Sequence, residues 1–272
     1  MTVAEALRVA TERLSTSSDT ARLDAELLMA HALGTSRSEM LLRHMADRAP
    51  AGFHVLIERR ANREPVAYII GIQEFYGREF AVNRDVLIPR DDSETVIEAA
   101  LSANPGAARV LDLGTGSGAL LLTILAETDA HGVGIDQSEG ALAVARANAE
   151  RLGLSDRVEL RVADWNDAGW SNELGQFDLI VANPPYVENG ADLDPDVRNF
   201  EPGSALFAGP EGLDDYRVLI PQLRRLMLSG GTAVIEIGAT QDEAVAQIAE
   251  NAEFTVKMHR DLAGRPRALV LH

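Results

Sequence analysis

From Arg109 onward, short apolar runs bounded by turn residues alternate with helix-length stretches, and this alternation constrains the fold more than any other feature of the chain. The runs are Arg109 to Leu113, His131 to Asp136, Val158 to Ala163, Phe177 to Ala182, Thr232 to Ile237, Phe254 to His259 and Ala268 to His272. Helices are read over Gly118 to Ala126, Ser138 to Leu152, Leu213 to Leu228 and Asp242 to Asn251. Strands separated by helices pair in parallel through crossovers. The expected fold class is therefore α/β, a doubly wound, Rossmann-like sheet of seven strands. The last two runs are joined by Gly264-Arg265-Pro266-Arg267, which leaves no room for a helix, so they form an antiparallel hairpin at the sheet edge.

The residues before Arg109 divide in two. Over 1–64 the pattern is helical: Val3, Leu7, Ala10 and Leu14 recur at helical spacing, as do Leu23, Leu27, Ala30 and His31, with Ser18 or Asp19 as N-cap and Gly34 as C-cap. Met40 to Met45 and Phe53 to Arg60 add further helices, separated by Ala49-Pro50, and complete a small bundle of three to five. Over 65–90 the runs shorten and alternate: Ala67 to Gly71, Glu74 to Gly77, Glu79 to Val82 and Val86 to Pro89, aromatic and β-branched residues with glycine breaks. They are read as a β-hairpin linker, followed by a catalytic domain over 91–272 whose first helix is capped by Ser93 or an adjacent Asp. Arg90 and Glu94 are spaced for a surface ion pair, and Glu201 is placed to cap or brace a loop.

There is no cysteine, which excludes disulfides and thiolate metal sites and fits a reducing cytoplasm. No metal site is expected. Glu5, Arg8, Glu12 and Arg13 interrupt the apolar residues at the N-terminus, and no run approaches the roughly 18 apolar residues of a spanning helix. A soluble, cytoplasmic monomer without membrane contact is expected. The formal charge of −17 is unevenly spread: residues 1–75 carry 9 Arg against 10 acidic residues, and the remainder carries a balance of −16. Binders of nucleic acid present a basic face because phosphate neutralisation supplies much of their affinity. The acidic part would repel a polyanion, so DNA and RNA are disfavoured as partners.

Two stretches carry chemistry. Two consecutive prolines stop the strand Phe177 to Ala182 at Asn183, at the carboxyl end where open α/β sheets place their ligands. The set Asn183-Pro184-Pro185-Tyr186 then offers a side-chain amide, a carbonyl and an aromatic ring on a stiff turn. The Asn183 side-chain oxygen and the Pro184 carbonyl can each accept one N–H of an NH2 group while Tyr186 covers its flat face. The second stretch, Gly114-Thr115-Gly116-Ser117-Gly118, follows the first sheet strand and opens its helix, where glycines let the backbone approach a ligand. Asp136, 22 positions after Gly114, suits a ribose in either a nicotinamide or an adenosylmethionine site, or else caps the helix from Ser138. Asp164-Trp165 offers an acid and an indole at adenine height, although the indole also suits a core. A dehydrogenase needs an acid/base such as His or Lys in its catalytic half, whereas Lys257, His259 and His272 all lie in the terminal hairpin. A methyltransferase needs only an oriented nucleophile in line with a sulfonium methyl.

With these residues the chain resembles the protein N5-glutamine methyltransferases that modify bacterial class 1 peptide chain release factors. The resemblance spans Ala21-Arg22-Leu23-Asp24-Ala25-Glu26-Leu27-Leu28, Arg59-Arg60, Glu64-Pro65-Val66-Ala67-Tyr68-Ile69, Glu74-Phe75-Tyr76-Gly77, Leu87-Ile88-Pro89-Arg90, Asp112 to Gly118, Asp164-Trp165, Asn183 to Tyr186, Glu201-Pro202, Ala205-Leu206 and Gly212-Leu213. Asn-Pro-Pro-Tyr is shared with adenine-N6 and guanine-N2 methyltransferases, and Leu-Ile-Pro-Arg with the helical N-terminal domain separates the family from them. One run departs from it: Asp91-Asp92-Ser93-Glu94 stands where the family has Pro-Asp-Thr-Glu. The resemblance implies a class I S-adenosylmethionine-dependent methyltransferase fold, with Gly114 to Gly118, Asp136, Trp165 and Asn183 lining the cofactor site. It implies that Asn183 to Tyr186 grip the glutamine of a Gly-Gly-Gln loop in the release factor, the protein partner. A ribosomal-protein glutamine and a nucleic-acid base are the alternative substrates. The helical domain is expected to dock the release factor outside that loop.

Overall fold

Thr2 and Glu5 start the chain's first helix by exchanging hydrogen bonds: Glu5 N donates to Thr2 Oγ1 at 3.3 Å and Thr2 N donates to Glu5 Oε2 at 2.8 Å. The helix that follows, α1 (Val3–Leu14), buries Val3, Ala6, Leu7, Ala10 and Leu14 on one face. It packs against α2 (Ala21–Leu33), which Gly34 ends in a left-handed conformation at φ 66°. After α3 (Arg37–Glu39), which runs on as a π-helical turn over Met40–His44, come α4 (Phe53–Ala61) and α5 (Val66–Ile70). The computed structural model describes every residue from Met1 to His272.

The run Ala67 to Gly71 is therefore helical, where its β-branched residues suggest a strand. Pro65 precedes the helix, Gly71 stops it at φ 82°, and Ile69 sits in the apolar core that α1, α2 and α4 form, with Val66 and Ile70 packed against it. Tertiary burial here overrides strand propensity.

Two contact-dense units emerge, Met1–Ile72 with Leu193–Phe200, and Gln73–Asp192 with Glu201–His272. The first holds the five helices above and a short one contributed by the later segment, α9 in chain order (Pro195–Phe200). Its polar centre is Arg60, nearly buried, whose Nε lies 2.6 Å from Asp24 Oδ2 and whose Nη1 lies 2.5 Å from Asp196 Oδ2. Arg59 beside it pairs with Glu64 at 2.8 Å. These pairs give a structural reason for the Arg-Leu-Asp-Ala-Glu and Arg-Arg runs.

In the second unit β1 (Ile72–Phe75) and β2 (Arg78–Ala81) form a hairpin across Tyr76-Gly77, both at positive φ as a type I′ turn requires. Residues 86–89, read as a strand end, pair with no strand; the Ile88 N–H goes to the Glu201 carboxylate instead, at 3.1 Å. After α6 (Glu94–Ala103) the chain enters the sheet: β3 (Arg109–Leu113), α7 (Ala119–Glu127), β4 (His131–Asp136), α8 (Glu139–Arg151), β5 (Val158–Val162), β6 (Phe177–Ala182), α10 (Asp214–Leu219), β7 (Met227–Glu236), α11 (Asp242–Asn251), β8 (Val256–Arg260) and β9 (Pro266–Leu271). The order across the sheet is β5-β4-β3-β6-β7-β9-β8, parallel from β5 to β7, with β9 antiparallel between β7 and β8. This is the expected seven-stranded sheet with its antiparallel hairpin. The helix read over Leu213 to Leu228 is shorter, because Pro221 turns its second half into a 3-10 segment, Ile220–Leu226, and β7 already begins at Met227.

Both sheet faces are covered. Leu111, Ile180 and Ile235 face a core with Leu219 and Val245, while Val110, Val181 and Val234 face one with Ile97 and Leu121. Strand order reverses between β3 and β6, so their following loops part and leave a crevice at the carboxyl ends. No helix is long and apolar enough to cross a membrane.

Arg60→Ala is expected to destabilise the helical unit by about 3–5 kcal/mol, because it leaves two carboxylates without their buried partner. Chemical denaturation followed by circular dichroism measures it.

Candidate active site

The loop from β3 to α7 gets its shape from three left-handed glycines, Gly114, Gly116 and Gly118, at φ 76°, 55° and 81°. Gly114 is the one that faces Trp165. A Cβ there would stand 3.2 Å from the Trp165 ring, so only glycine lets the indole lie over the loop. Gly134 of β4 clears the other side, where a Cβ would meet Thr115 Oγ1 at 3.0 Å. The N–H groups of Gly114 and Thr115 both donate to Ile135 O, at 2.9 and 2.8 Å, which ties the loop to the neighbouring strand.

Two carboxylates flank this loop. Asp136 at the end of β4 accepts Ser138 N on Oδ1 at 2.9 Å at the start of α8, although the N-cap itself is Ser138, and accepts Gly116 N on Oδ2 at 2.9 Å. Burial raises its pKa, against the hydrogen bonds from Ser138 and Gly116. Asp112, on β3, is buried, and its Oδ2 accepts the Thr115 hydroxyl at 2.7 Å. Its Oδ1 has no hydrogen-bond partner, and burial pushes the group up to about 7, with the nearby Asp136 charge adding to the shift.

The cavity these residues line, about 220 Å³, takes in Gly114 to Ser117, Asp112, Asp136, Trp165, Asn183 and Pro185, and Arg90 and Ser93 line it as well. Gly118 lies beneath the lining, packed against Leu122. Trp165 is both core and wall: it is nearly buried, and its Nε1 donates to Asp215 Oδ1 at 3.0 Å. Asn183 reaches the cavity from the end of β6, and its Nδ2 donates to Ser93 Oγ at 3.5 Å. Pro184 and Tyr186 are outside the lining. The Tyr186 ring packs by Gly238 and its hydroxyl is pushed up to about 12 by burial with Glu236 near.

The loop after Tyr186 is fixed by contacts from distant segments. Gln241 Nε2 donates to Tyr186 O at 3.0 Å, and Gly212, at φ 66°, passes so near that carbonyl that a Cβ would lie 2.2 Å from it. Val187 N donates to Leu206 O at 2.8 Å. Glu201 is buried and braces Leu87-Ile88-Pro89-Arg90, taking the Ile88 N–H and an ion pair from Arg90. The Arg90–Glu94 pair does not form, because Glu94 instead accepts Tyr76 N at 2.8 Å. One acid escaped the sequence reading. Glu236, buried at the end of β7, is pushed up to about 7 by burial, and its Oε2 is unpartnered. An acid inside the apolar run Ala233-Val234-Ile235-Glu236-Ile237 was the available signal.

Comparison with known proteins agrees with this geometry. Residues 5–71 match the PrmC N-terminal domain, and residues 105–264 match a methyltransferase domain. A release factor glutamine methyltransferase of Cereibacter sphaeroides is 44% identical over 98% of this chain and 97% of its own length. The chain belongs to the release factor glutamine methyltransferase family. A further family member, from Caulobacter vibrioides, is 39% identical over 99% of this chain and 96% of its own. Among solved structures, an O-methyltransferase family protein from Burkholderia thailandensis shares the fold at a TM-score of 0.54, with 16% identity over 95% of this chain and 96% of that one. The catalytic domain of hMettl16, in complex with the MAT2A 3'UTR hairpin 1, does so at 0.60, with 16% identity over 82% of this chain and 83% of that one. The sheet is that of a class I methyltransferase.

The displaced pKa of Asp112 has a consequence for stability. An ordinary aspartate titrates at 3.8 and this one at about 7, so between those values the folded family member holds a proton that the unfolded chain has released. The contribution therefore falls as pH rises from about 4 to 7 and is constant above. Asp112→Asn removes that fall, and its melting temperature should exceed the parent's at pH 8 while converging with it near pH 4, as scanning calorimetry on the ligand-free protein would read.

Proposed function

We propose that this protein methylates the side-chain amide N5 of the glutamine in the Gly-Gly-Gln motif of bacterial class 1 release factors, with S-adenosylmethionine as donor. The observation that carries the reading is the position of Asn183: it lines the same cavity as the glycine loop, Asp112 and Asp136. The names of the relatives, 44% and 39% identical, support the substrate.

The donor set fits the cofactor. Asp112 Oδ1 is buried, unpartnered and on the cavity lining, which suits a cationic ammonium group. Asp136 suits ribose hydroxyls and the Trp165 ring an adenine face. When bound, S-adenosylmethionine supplies an electrophilic methyl on a sulfonium. What remains for the chain is to make a poor nucleophile adequate and aim it.

A carboxamide nitrogen is a poor nucleophile because its lone pair is delocalised into the carbonyl. Asn183 Oδ1 and the Pro184 carbonyl each accept one of its N–H groups, which returns electron density to nitrogen and fixes its direction. Tyr186, half-buried on the same turn, takes the flat face of the carboxamide. Exclusion of water strengthens both hydrogen bonds. No strong general base is required, since the proton leaves after transfer.

The acidic balance of −16 over residues 76–272 disfavours a nucleic-acid base as the acceptor. The helical unit docks the release factor away from the Gly-Gly-Gln loop; Leu42, 84% exposed, is an apolar contact available for it.

The deciding experiment incubates the protein with S-adenosylmethionine and a purified class 1 release factor and reads the mass of the Gly-Gly-Gln peptide. Addition of one methyl to glutamine is expected. No addition with cofactor binding intact would redirect the search to ribosomal proteins and nucleic acid. In the same assay Asn183→Ala should keep the fold and lose on the order of 10²-fold in rate. Leu42→Glu should raise KM for the whole release factor and leave that for a short Gly-Gly-Gln peptide unchanged.

A further inference from the structure

Glu236 has no part in the chemistry described so far. Yet the parallel register of β6 and β7 pairs Ala182 with Ile235, so the next residues, Asn183 and Glu236, stand side by side where the two strands end. Glu236 is 1% exposed, and a carboxyl buried to that degree with an unpartnered oxygen costs stability. Such a cost at a ligand-binding strand end calls for a task.

The hydrogen-bond chemistry around Asn183 supplies one. Asn183 Nδ2 donates to Ser93 Oγ at 3.5 Å. A serine hydroxyl carries one proton, so having accepted from Asn183 it is free to donate. The Ser93 hydroxyl and the Asn183 amide both stand near enough to the Glu236 carboxyl to favour its charged form. A carboxylate can only accept. The Asn183 NH2 group is thereby held toward Ser93 and Glu236, and Oδ1 is left for the cavity. With the amide turned over, Asn183 would present donors to a substrate group that also has only donors to offer.

We propose that Glu236 is a positioning residue: with Ser93 as relay, it fixes the polarity of the Asn183 amide so that oxygen, not NH2, meets the N–H of the acceptor group. This rests on the reading of Asn183 as the grip on a substrate NH2. The surroundings keep the carboxylate in place. Arg267, held by Asp92 at 2.7 Å, draws it toward the charged form, while Asp92 itself opposes that. Tyr216 donates to the backbone oxygen of Glu236 at 2.9 Å, and Tyr186 lies within electrostatic range.

The test is Glu236→Gln in the full-length protein. Its amide can donate as well as accept, so Asn183 is no longer held one way round. The expected result is a fall in kcat of about 10-fold or more, as misplacement of a reacting group gives. S-adenosylmethionine affinity by calorimetry should stay within about 2-fold, and the melting temperature should not fall. A second readout needs no substrate. The side-chain NH2 resonance of Asn183, identified by its loss in Asn183→Asp, should shift with a midpoint near pH 7 in the parent, where burial places Glu236, and should not titrate in Glu236→Gln. Normal kcat in Glu236→Gln, or an Asn183 resonance that titrates identically in both proteins, would overturn the proposal. Should Glu236→Gln not fold, Ser93→Ala removes the relay and should show the same loss of kcat; full activity there would equally overturn it. Whether the parent methylates a Gly-Gly-Gln peptide tests the substrate reading separately, because the ratio of variant to parent can be read on any NH2 acceptor that the parent methylates.

Discussion

The reversal of strand order between β3 and β6 is the constraint on which the rest depends. A parallel sheet whose connections wind in opposite senses from adjacent strands must leave a gap at their carboxyl ends, and the glycine loop, Asp136, Trp165 and Asn183 line it. The glycine loop leaves β3, Asp136 ends β4, Trp165 follows β5, Asn183 follows β6 and Glu236 ends β7. No single segment contains the site. Four strand ends compose it, that of β7 stands beside them, and the sheet's hydrogen bonds hold them in register.

That arrangement costs stability through two buried acids. Asp112 and Glu236 are both buried, both pushed up to about 7, and each keeps one oxygen without a partner. A chain selected for stability alone would neutralise or partner these groups, as it does with Arg60 between Asp24 and Asp196 in the helical unit. The contrast separates two uses of buried charge. In the helical unit the charges face one another and close the packing. At the strand ends they face a cavity or a neighbouring functional amide, and the missing partner is the opening for one.

Most of the sheet and much of the site were legible in the sequence because both rest on local rules. Alternation gave the strands, the prolines after Ala182 stopped β6, and the glycines of 114–118 needed no context to mark a turn. What escaped rests on contacts distant in sequence. Residues 67–71 look like a strand but are buried as a helix by α1, α2 and α4. Arg90 turns from Glu94 to Glu201, more than a hundred residues away, and Glu94 turns to the hairpin backbone. Gly134 and Gly212 look like ordinary glycines until Thr115 and the Tyr186 carbonyl are seen against them. Glu236 was readable as an acid in an apolar run, but its neighbours, Ser93, Asn183 and Arg267, come from three separate segments.

The same distances explain how the departing run Asp91-Asp92-Ser93-Glu94 keeps its place. Ser93 supplies a hydroxyl at the Asn183 amide, which a threonine would also do, and Glu94 supplies a carboxylate to the hairpin turn. Asp92 reaches the terminal hairpin, bonding Arg267 at 2.7 Å and Arg265 at 3.1 Å. Asp91, which replaces proline, stands exposed in the first turn of a 3-10 segment, where an acidic side chain suits the helix N-terminus and the proline's fixed φ is dispensable. Of the two departures, Ser93 keeps the hydroxyl that its contact needs, and Asp91 falls where no hydrogen bond or ion pair ties the side chain to the site.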